Sequence, residues 1–372
     1  MQIREVKNKR DKKKFISFPA TLYKGCKNWI PQLRFDEMNL LDPKKNPAFE
    51  FCDVKLWLAY ENNKVVGRIA GIINKRFIEK WQDKYCRFGW IDFIDDEDVS
   101  KLLLNVVENW AKENGMEAVH GPLGFTDLDP EGMLIEGFEE LSTIATIYNY
   151  SYYPEHLRKL GYIKDADWIE YEITIPNKVP DKIERIAAVV KKKYKLKILS
   201  ASRKKDLMPY VTNMFHVLNG AYEKLYGFVS LTDKQIKIYI KQYISFLDPK
   251  YIRLILDEHD KVAAFGITAP SLSKAFQKVK GRLFPFGFLH ILNAMKKNKL
   301  IDLYLIAVRP DLQGKGVNSL LFSELIKVYI ENKFEKAETN PELEINTKVQ
   351  AQWKFFGQRQ HKRRRCFIKN LN

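Results

Sequence analysis

The stretch Leu303–Leu325, LYLIAVRPDLQGKGVNSLLFSEL, constrains the fold of this chain more than any other. Leu303 to Val308 is an apolar run that favours a buried strand, and Pro310 ends it because proline has no N–H for a ladder. Gln313-Gly314-Lys315-Gly316 then turns the backbone, and Val317, Leu320, Leu321, Leu325 and Val328 recur at helical spacing. The expected unit is strand, glycine loop, helix. The first N–H groups of a helix have no partner within it and the positive end of the helix dipole lies behind them, so the loop suits a phosphate or pyrophosphate. The spacing excludes two common phosphate loops. No glycine is followed at the Walker A distance by Gly-Lys-Ser/Thr, and the third glycine of a dinucleotide fingerprint is missing.

The same residues resemble the acyl-CoA-binding motif of the GNAT acyltransferases, Arg/Gln-x-x-Gly-x-Gly/Ala after a strand ending in Ala-Val and a proline. Ala307, Val308, Pro310, Gln313 and Gly316 stand in the matching places. Asn318 stands where the family has Gly or Ala, and Asn is the residue next most tolerant of unusual backbone angles. The resemblance implies acetyl-CoA or acyl-CoA as a substrate, held by Ala307, Val308, Gln313, Gly314, Lys315, Gly316, Val317 and Asn318. Ser319, one turn into the helix, is within reach of a phosphate, and Asn346 resembles the asparagine that contacts the pantetheine arm.

At 372 residues the chain is long for a single core and suggests two domains. Charged residues fill the N-terminal stretch where a secretory signal would be apolar, and no run is long enough to span a membrane, so a cytoplasmic protein is expected. Cys26, Cys52, Cys86 and Cys366 are scattered, and the six histidines show no ligand spacing; neither a disulfide framework nor a metal is expected. The net charge of +17 calls for an anionic partner without naming it.

Taken in order, a helical N-terminal segment, a hairpin about Glu61-Asn62-Asn63-Lys64, a strand from Arg87 to Ile94, a helix from Val99 to Asn114 and a strand from Met116 lead into the loop Gly121–Phe138. A short helix to Leu160 and a strand from Trp168 to Ile175 follow. This order resembles a GNAT domain, and the second half repeats it. The segment from Lys64 corresponds to that from Lys261, 197 positions on, and Asn149 corresponds to Asn346 at the same offset. The chain is therefore expected to be of α/β class, with mixed sheets in two tandem GNAT-like domains, residues 1–178 and 179–372, the second carrying an insertion at 273–300. The first copy has Asp95-Asp96-Glu97-Asp98 where the second has its glycine loop, and carboxylates there repel a pyrophosphate and cap the helix themselves. Only the second copy is expected to bind the nucleotide-like substrate.

Acyl transfer to an amine needs a base for the amine proton, donors for the carbonyl oxygen and an acid for the thiolate. Asp302, Tyr304, Ile306 and Val308 share one strand face by simple alternation. Asp302 lies where histone-type GNAT enzymes carry a catalytic glutamate and is the base candidate, with Tyr304 beside it. The family's tyrosine acid on the last helix is replaced by Trp353, which leaves Tyr329 or Tyr304 for that role. The insertion carries seven basic residues around an apolar centre, Leu283–Met295, and suits an anionic membrane surface, a lid over an acyl chain or a core-packed helix pair. Arg363 and Arg365 on one face of the last strand are candidates for a ribose phosphate or RNA. The expected acceptor is a small-molecule or peptide amine; nucleic acid is not favoured. A non-catalytic binding protein and an aminoacyl transferase using tRNA are the alternatives.

Overall fold

The structure is a computed structural model that describes residues 1–244, 247–283 and 285–371. The first part of the chain runs β1 Gln2–Glu5, α1 Lys9–Leu22, α2 Arg34–Leu40, β2 Cys52–Glu61, β3 Lys64–Asn74, α3 Lys75–Trp81, β4 Tyr85–Phe93, α4 Glu97–Glu113, β5 Ala118–Gly121, β6 Met133–Glu136, α5 Tyr152–Lys159 and β7 Ile163–Thr174. The second part runs α6 Asp181–Lys193, β8 Lys197–Leu199, α7 Lys204–Tyr222, α8 Asp233–Tyr239, β9 Ile252–Leu256, β10 Val262–Pro270, α9 Ser273–Val279 and α10 Gly287–Lys296. It continues through β11 Leu300–Val308, α11 Val317–Glu331, β12 Lys336–Thr339, β13 Glu342–Leu343, α12 Thr347–Trp353 and β14 Gln358–Asn370. Among the described residues no helix is long and apolar enough to cross a membrane.

Two compact units result. One holds Met1–Ile169 with Leu272–Asn293 and His361–Asn372, and the other holds Glu170–Ser271 with Ala294–Gln360. The linear division at 178/179 drawn from the sequence thus differs from the structure, where the chain leaves the second unit twice.

In the first unit the strands follow the order β1-β2-β3-β4-β5-β14-β7. The hairpin β2–β3 closes at Glu61 opposite Lys64, and Asn62 and Asn63 take φ of +47° and +61°, the tight turn that asparagine tolerates. Strands β4 and β5 are parallel from Tyr85 opposite Ala118 to Arg87 opposite His120. The apolar stripe of α4, Val99, Leu103, Leu104, Val107 and Trp110, enters the core with Phe88 and Phe93 of β4. Strand β14 carries buried Phe367 into this core and pairs with β5 and β6. The Gly121–Phe138 loop, expected to be without secondary structure, therefore contains a strand, β6.

A buried polar network ties this unit together. Arg68 pairs with Asp92 at 2.7 Å, the Tyr23 hydroxyl donates to Asp92 at 2.7 Å, and the hydroxyls of Tyr23 and Tyr153 lie 3.0 Å apart. Tyr23→Phe leaves the Asp92 carboxylate short of one donor in a site closed to water. Urea unfolding is expected to show a loss of about 1–3 kcal/mol, the cost of an unmet buried polar group.

In the second unit the order is β8-β9-β10-β11-β12-β7, with β11 and β12 parallel and the other neighbours antiparallel. Helices α6 and α11 cover one face, burying Ile183, Val190, Leu321 and Leu325 against Ile301 and Leu303. The 273–300 insertion divides in character. Helix α9 buries Ala275, Phe276 and Val279, whereas α10 has no buried residue. Phe284, in the apolar centre of that insertion, lies outside the described residues.

Candidate functional site

Helix α11 starts at Gly316, whose φ of +82° only glycine adopts freely, and no side chain caps it. The N–H groups of Gly314, Gly316, Val317 and Asn318 have no hydrogen-bond acceptor among the described residues, while the N–H of Ser319 donates to Gly316 O at 3.0 Å. The dipole of a fifteen-residue helix points at this loop. Lys315 Nζ lies over the Tyr194 ring at 5.6 Å, and the Gln313 amide donates to Val308 O at 3.1 Å. Of the residues the motif singled out, Gly314, Gly316, Val317 and Asn318 bring such N–H groups together, whereas the N–H groups of Lys315 and Ser319 donate to Leu312 O and Gly316 O and the Gln313 amide is turned to Val308 O.

Strand β11 opens beside the loop. It pairs with β12 only from Leu300 to Leu303, and beyond that point β12 ends at Thr339 while β11 continues to Val308. Asn340 caps the parting, its N–H donating to Leu303 O at 3.2 Å and its amide to Tyr304 O at 2.8 Å. Ala307 and Val308 thus lie on a strand edge without a strand partner on that side, where Ile306 O accepts the Tyr222 hydroxyl at 3.2 Å and Val308 O the Gln313 amide. On its other side β11 carries a bulge. Ile267 faces Leu305 and Thr268 faces Leu303, so Tyr304 is the extra residue.

The bulge corrects the face assignment made from alternation. Leu303, Ile306 and Val308 pack into the core under α11, so Asp302, one residue from Leu303, points to the opposite face from Ile306 and Val308. Asp302 is 2% exposed and accepts the Tyr304 hydroxyl at 3.1 Å. Burial, then the Asp302 charge, push the Tyr304 hydroxyl well above its ordinary pKa, so it stays a donor. Glu338 stands directly across from Asp302 on β12, and a carboxylate oxygen of Glu170 on β7 comes within 4.8 Å of one of Glu338. These two buried carboxylates are a part of the site that sequence reading missed, since they sit on strands remote from the glycine motif.

Tyr329 does not join them. It is 3% exposed in the core under α11, beside Thr268, which pairs with Leu303 on the face away from Asp302. Burial raises its pKa as well. Asn346 stands at the start of α12 and its side chain makes no capping hydrogen bond there, whereas Asn149 in the first unit is spent on Leu134 N, at 2.7 Å, and Leu134 O. Trp353 is buried, its Nε1 donating to both oxygens of Glu342 at 2.9 and 3.0 Å.

The first unit has the same parting between β4 and β5, and protein fills it. Asp96 caps α4, accepting from Asp98 N at 2.8 Å and Val99 N at 3.2 Å. Leu123 N donates to Phe88 O at 2.9 Å, and a Cβ on Gly89 would lie 2.4 Å from Leu123 O, so the loop after β5 occupies the wedge. The Tyr153 hydroxyl accepts from Phe93 N at 3.0 Å. Charge and occupancy both close this copy to a diphosphate.

The arginines of the last strand are also committed. Arg363 and Arg365 bind Asp167 at 3.0 and 2.7 Å, and Arg364 is fully buried with Ile147 O, so none faces a ribose phosphate. His120, Asp165 and Cys366, distant in sequence, bring ligand atoms within 4.8 Å of one another in the first unit, with the Arg87 cation nearby.

One buried acid, Asp129, and two half-buried ones, Asp127 and Glu342, set a pH dependence. Burial pushes Asp129 up to about 6, Asp127 to about 7 and Glu342 to about 8. Each keeps its proton in the native state at a pH where the unfolded chain has released it. Their contribution is whole below the ordinary carboxylate range and is lost as pH rises through those values. The thermal midpoint is expected to fall from about pH 5 to about pH 9, and Asp127→Asn with Glu342→Gln to flatten that slope.

No family model matches the chain. It is 28% identical over 376 residues to Protein YghO of Escherichia coli (strain K12), covering 99% of this chain and 95% of that protein. It is 26% identical over 295 residues to a bacterial ceramide synthase of Caulobacter vibrioides (strain NA1000 / CB15N), covering 78% of this chain and 75% of that one. Among solved structures it matches a tandem GNAT protein from the clavulanic acid biosynthesis pathway with a TM-score of 0.54 at 10% identity, covering 100% of this chain and 98% of the other. That correspondence runs through both units, and the chain has the fold of a tandem GNAT protein.

Proposed function

We propose that the chain transfers an acetyl or acyl group from acyl-CoA to an amine, using its second unit. The observation that carries this reading is the set of N–H groups at Gly314, Gly316, Val317 and Asn318 that have no acceptor among the described residues, at the end of a strand with no strand partner on one side. A diphosphate meets those amides and the pantetheine arm lies along Ala307 and Val308 toward the carboxylates. Six residues of strand, about 20 Å, separate Val308 from Asp302.

At that end the amine nitrogen forms the new C–N bond as the C–S bond breaks, and the Asp302 carboxylate takes the amine proton. Tyr304 orients Asp302, and the departing thiolate takes up the second of the two protons that the acceptor ammonium loses on becoming an amide. Glu338 and Glu170 favour an acceptor that arrives as an ammonium ion. The relative named bacterial ceramide synthase supports an amine acceptor, because a ceramide is an N-acylated amino alcohol. A CoA ester as donor fits a cytoplasmic site of action.

Isothermal titration with CoA and acetyl-CoA tests the reading. Saturable binding is expected. Absence of CoA binding alongside tight, salt-sensitive RNA binding points instead to transfer from tRNA.

A further inference from the structure

We propose that α10, with Phe286 just before it, docks on the surface of an anionic lipid bilayer. The inference is independent of the acyl-transfer reading. Helix α10 buries none of its residues, yet Leu289 and Leu292 are 52% and 49% exposed, and Phe286 just before it is 71% exposed. Leu289 and Leu292 are three apart and share one helix face, with Phe286 three residues ahead of Leu289. A contiguous apolar face turned to solvent marks a surface that something else covers.

Charge selects the occupant. Residues 273–300 contain seven basic residues and no acidic one. Among the described residues Lys278, Lys280 and Arg282 before the apolar face, and Lys296 and Lys297 after it, have no carboxylate partner, while Lys299 pairs with Glu335. Apolar side chains flanked by cations on long, flexible stems fit a surface of acyl chains beneath anionic headgroups. A ten-residue helix is about 15 Å long, half of a bilayer core, so it lies in the interface and does not cross.

The platform beneath is fixed. Gln277 donates to Lys27 O at 2.7 Å and to Trp29 O at 3.1 Å, and Arg34 N donates to Gly281 O at 3.2 Å. With α9 packed in the core, the apolar face of α10 is held outward rather than left to fold back.

Co-sedimentation of the full chain tests this, with vesicles of equal parts phosphatidylglycerol and phosphatidylcholine against phosphatidylcholine alone. The chain is expected to bind the anionic vesicles at least about tenfold more strongly, with binding that weakens as salt is raised. Leu289→Glu with Leu292→Glu is expected to lower binding by about tenfold or more, with the circular dichroism and unfolding midpoint unchanged. Lys296→Glu with Lys297→Glu, which leaves the apolar face intact, is expected to remove the preference for anionic vesicles. Equal binding to both vesicles, or none, overturns the proposal. So does a dimer in sedimentation velocity that the leucine variant dissociates, because the face is then covered by a second copy.

Discussion

Gly316→Val is expected to abolish measurable CoA binding. The residue takes φ of +82°, where a β-branched side chain is strongly disfavoured, and a Cβ there would lie 3.1 Å from both Ile186 Cγ2 and Val190 Cγ2 of α6. Relief requires either a shift of α6 or a rotation about Gly316. Both turn the N–H groups of Gly316, Val317 and Asn318 away from a common point. Hydrogen bonds to a charged group contribute about 1.5–3 kcal/mol each, so losing three weakens binding by more than about a thousandfold. Gly314→Ala is the informative control. Its φ is +71°, but a Cβ there meets nothing within 4 Å, so about 1 kcal/mol of backbone strain and less than about tenfold in affinity are expected. Isothermal titration, read beside the unfolding midpoint, separates lost binding from lost fold. Wild-type affinity in Gly316→Val would remove the glycine loop from the site.

Asp302→Asn is expected to lower kcat by about a hundredfold or more, the usual contribution of a positioned general base. Asparagine keeps the volume and can still accept the Tyr304 hydroxyl, so packing is preserved while the proton acceptor is lost. The KM for acyl-CoA is expected to change little, because six residues of strand lie between Asp302 and Val308. Thiol release from acetyl-CoA with a panel of amines reads both quantities. Turnover equal to wild type would place the base elsewhere, with Glu338 and Glu170 the next positions to substitute.

Where a feature depends on contiguous residues, the chain announces it. The Leu303–Leu325 stretch holds its strand, loop and helix in one piece, and the Asn62-Asn63 turn is set by two residues tolerant of positive φ. The acidic start of α4 reads correctly as self-capping for the same reason. Features that depend on a partner strand stay hidden. The bulge at Tyr304 exists only in the register with β10, and it moves Ile306 and Val308 to the face opposite Asp302. Glu338 and Glu170 reach the site by strand pairing, and Tyr329, apparently well placed on α11, turns into the core. Arg363 and Arg365 look available in sequence because Asp167, their partner, is nearly two hundred residues away. The domain boundary was misleading for a related reason, since composition does not register a strand that returns to the first unit.

That return has a consequence for biogenesis. Residues 361–371 complete a sheet whose other strands emerge from the ribosome far earlier, with β5 waiting some 240 residues for its neighbour. During translation β5 keeps an unpaired edge and the hydrophobic cluster lacks Phe367, so the nascent first unit exposes an edge of the kind that pairs with other chains. Synthesis of β14, rather than of the strands it joins, then sets the moment at which the N-terminal unit becomes native.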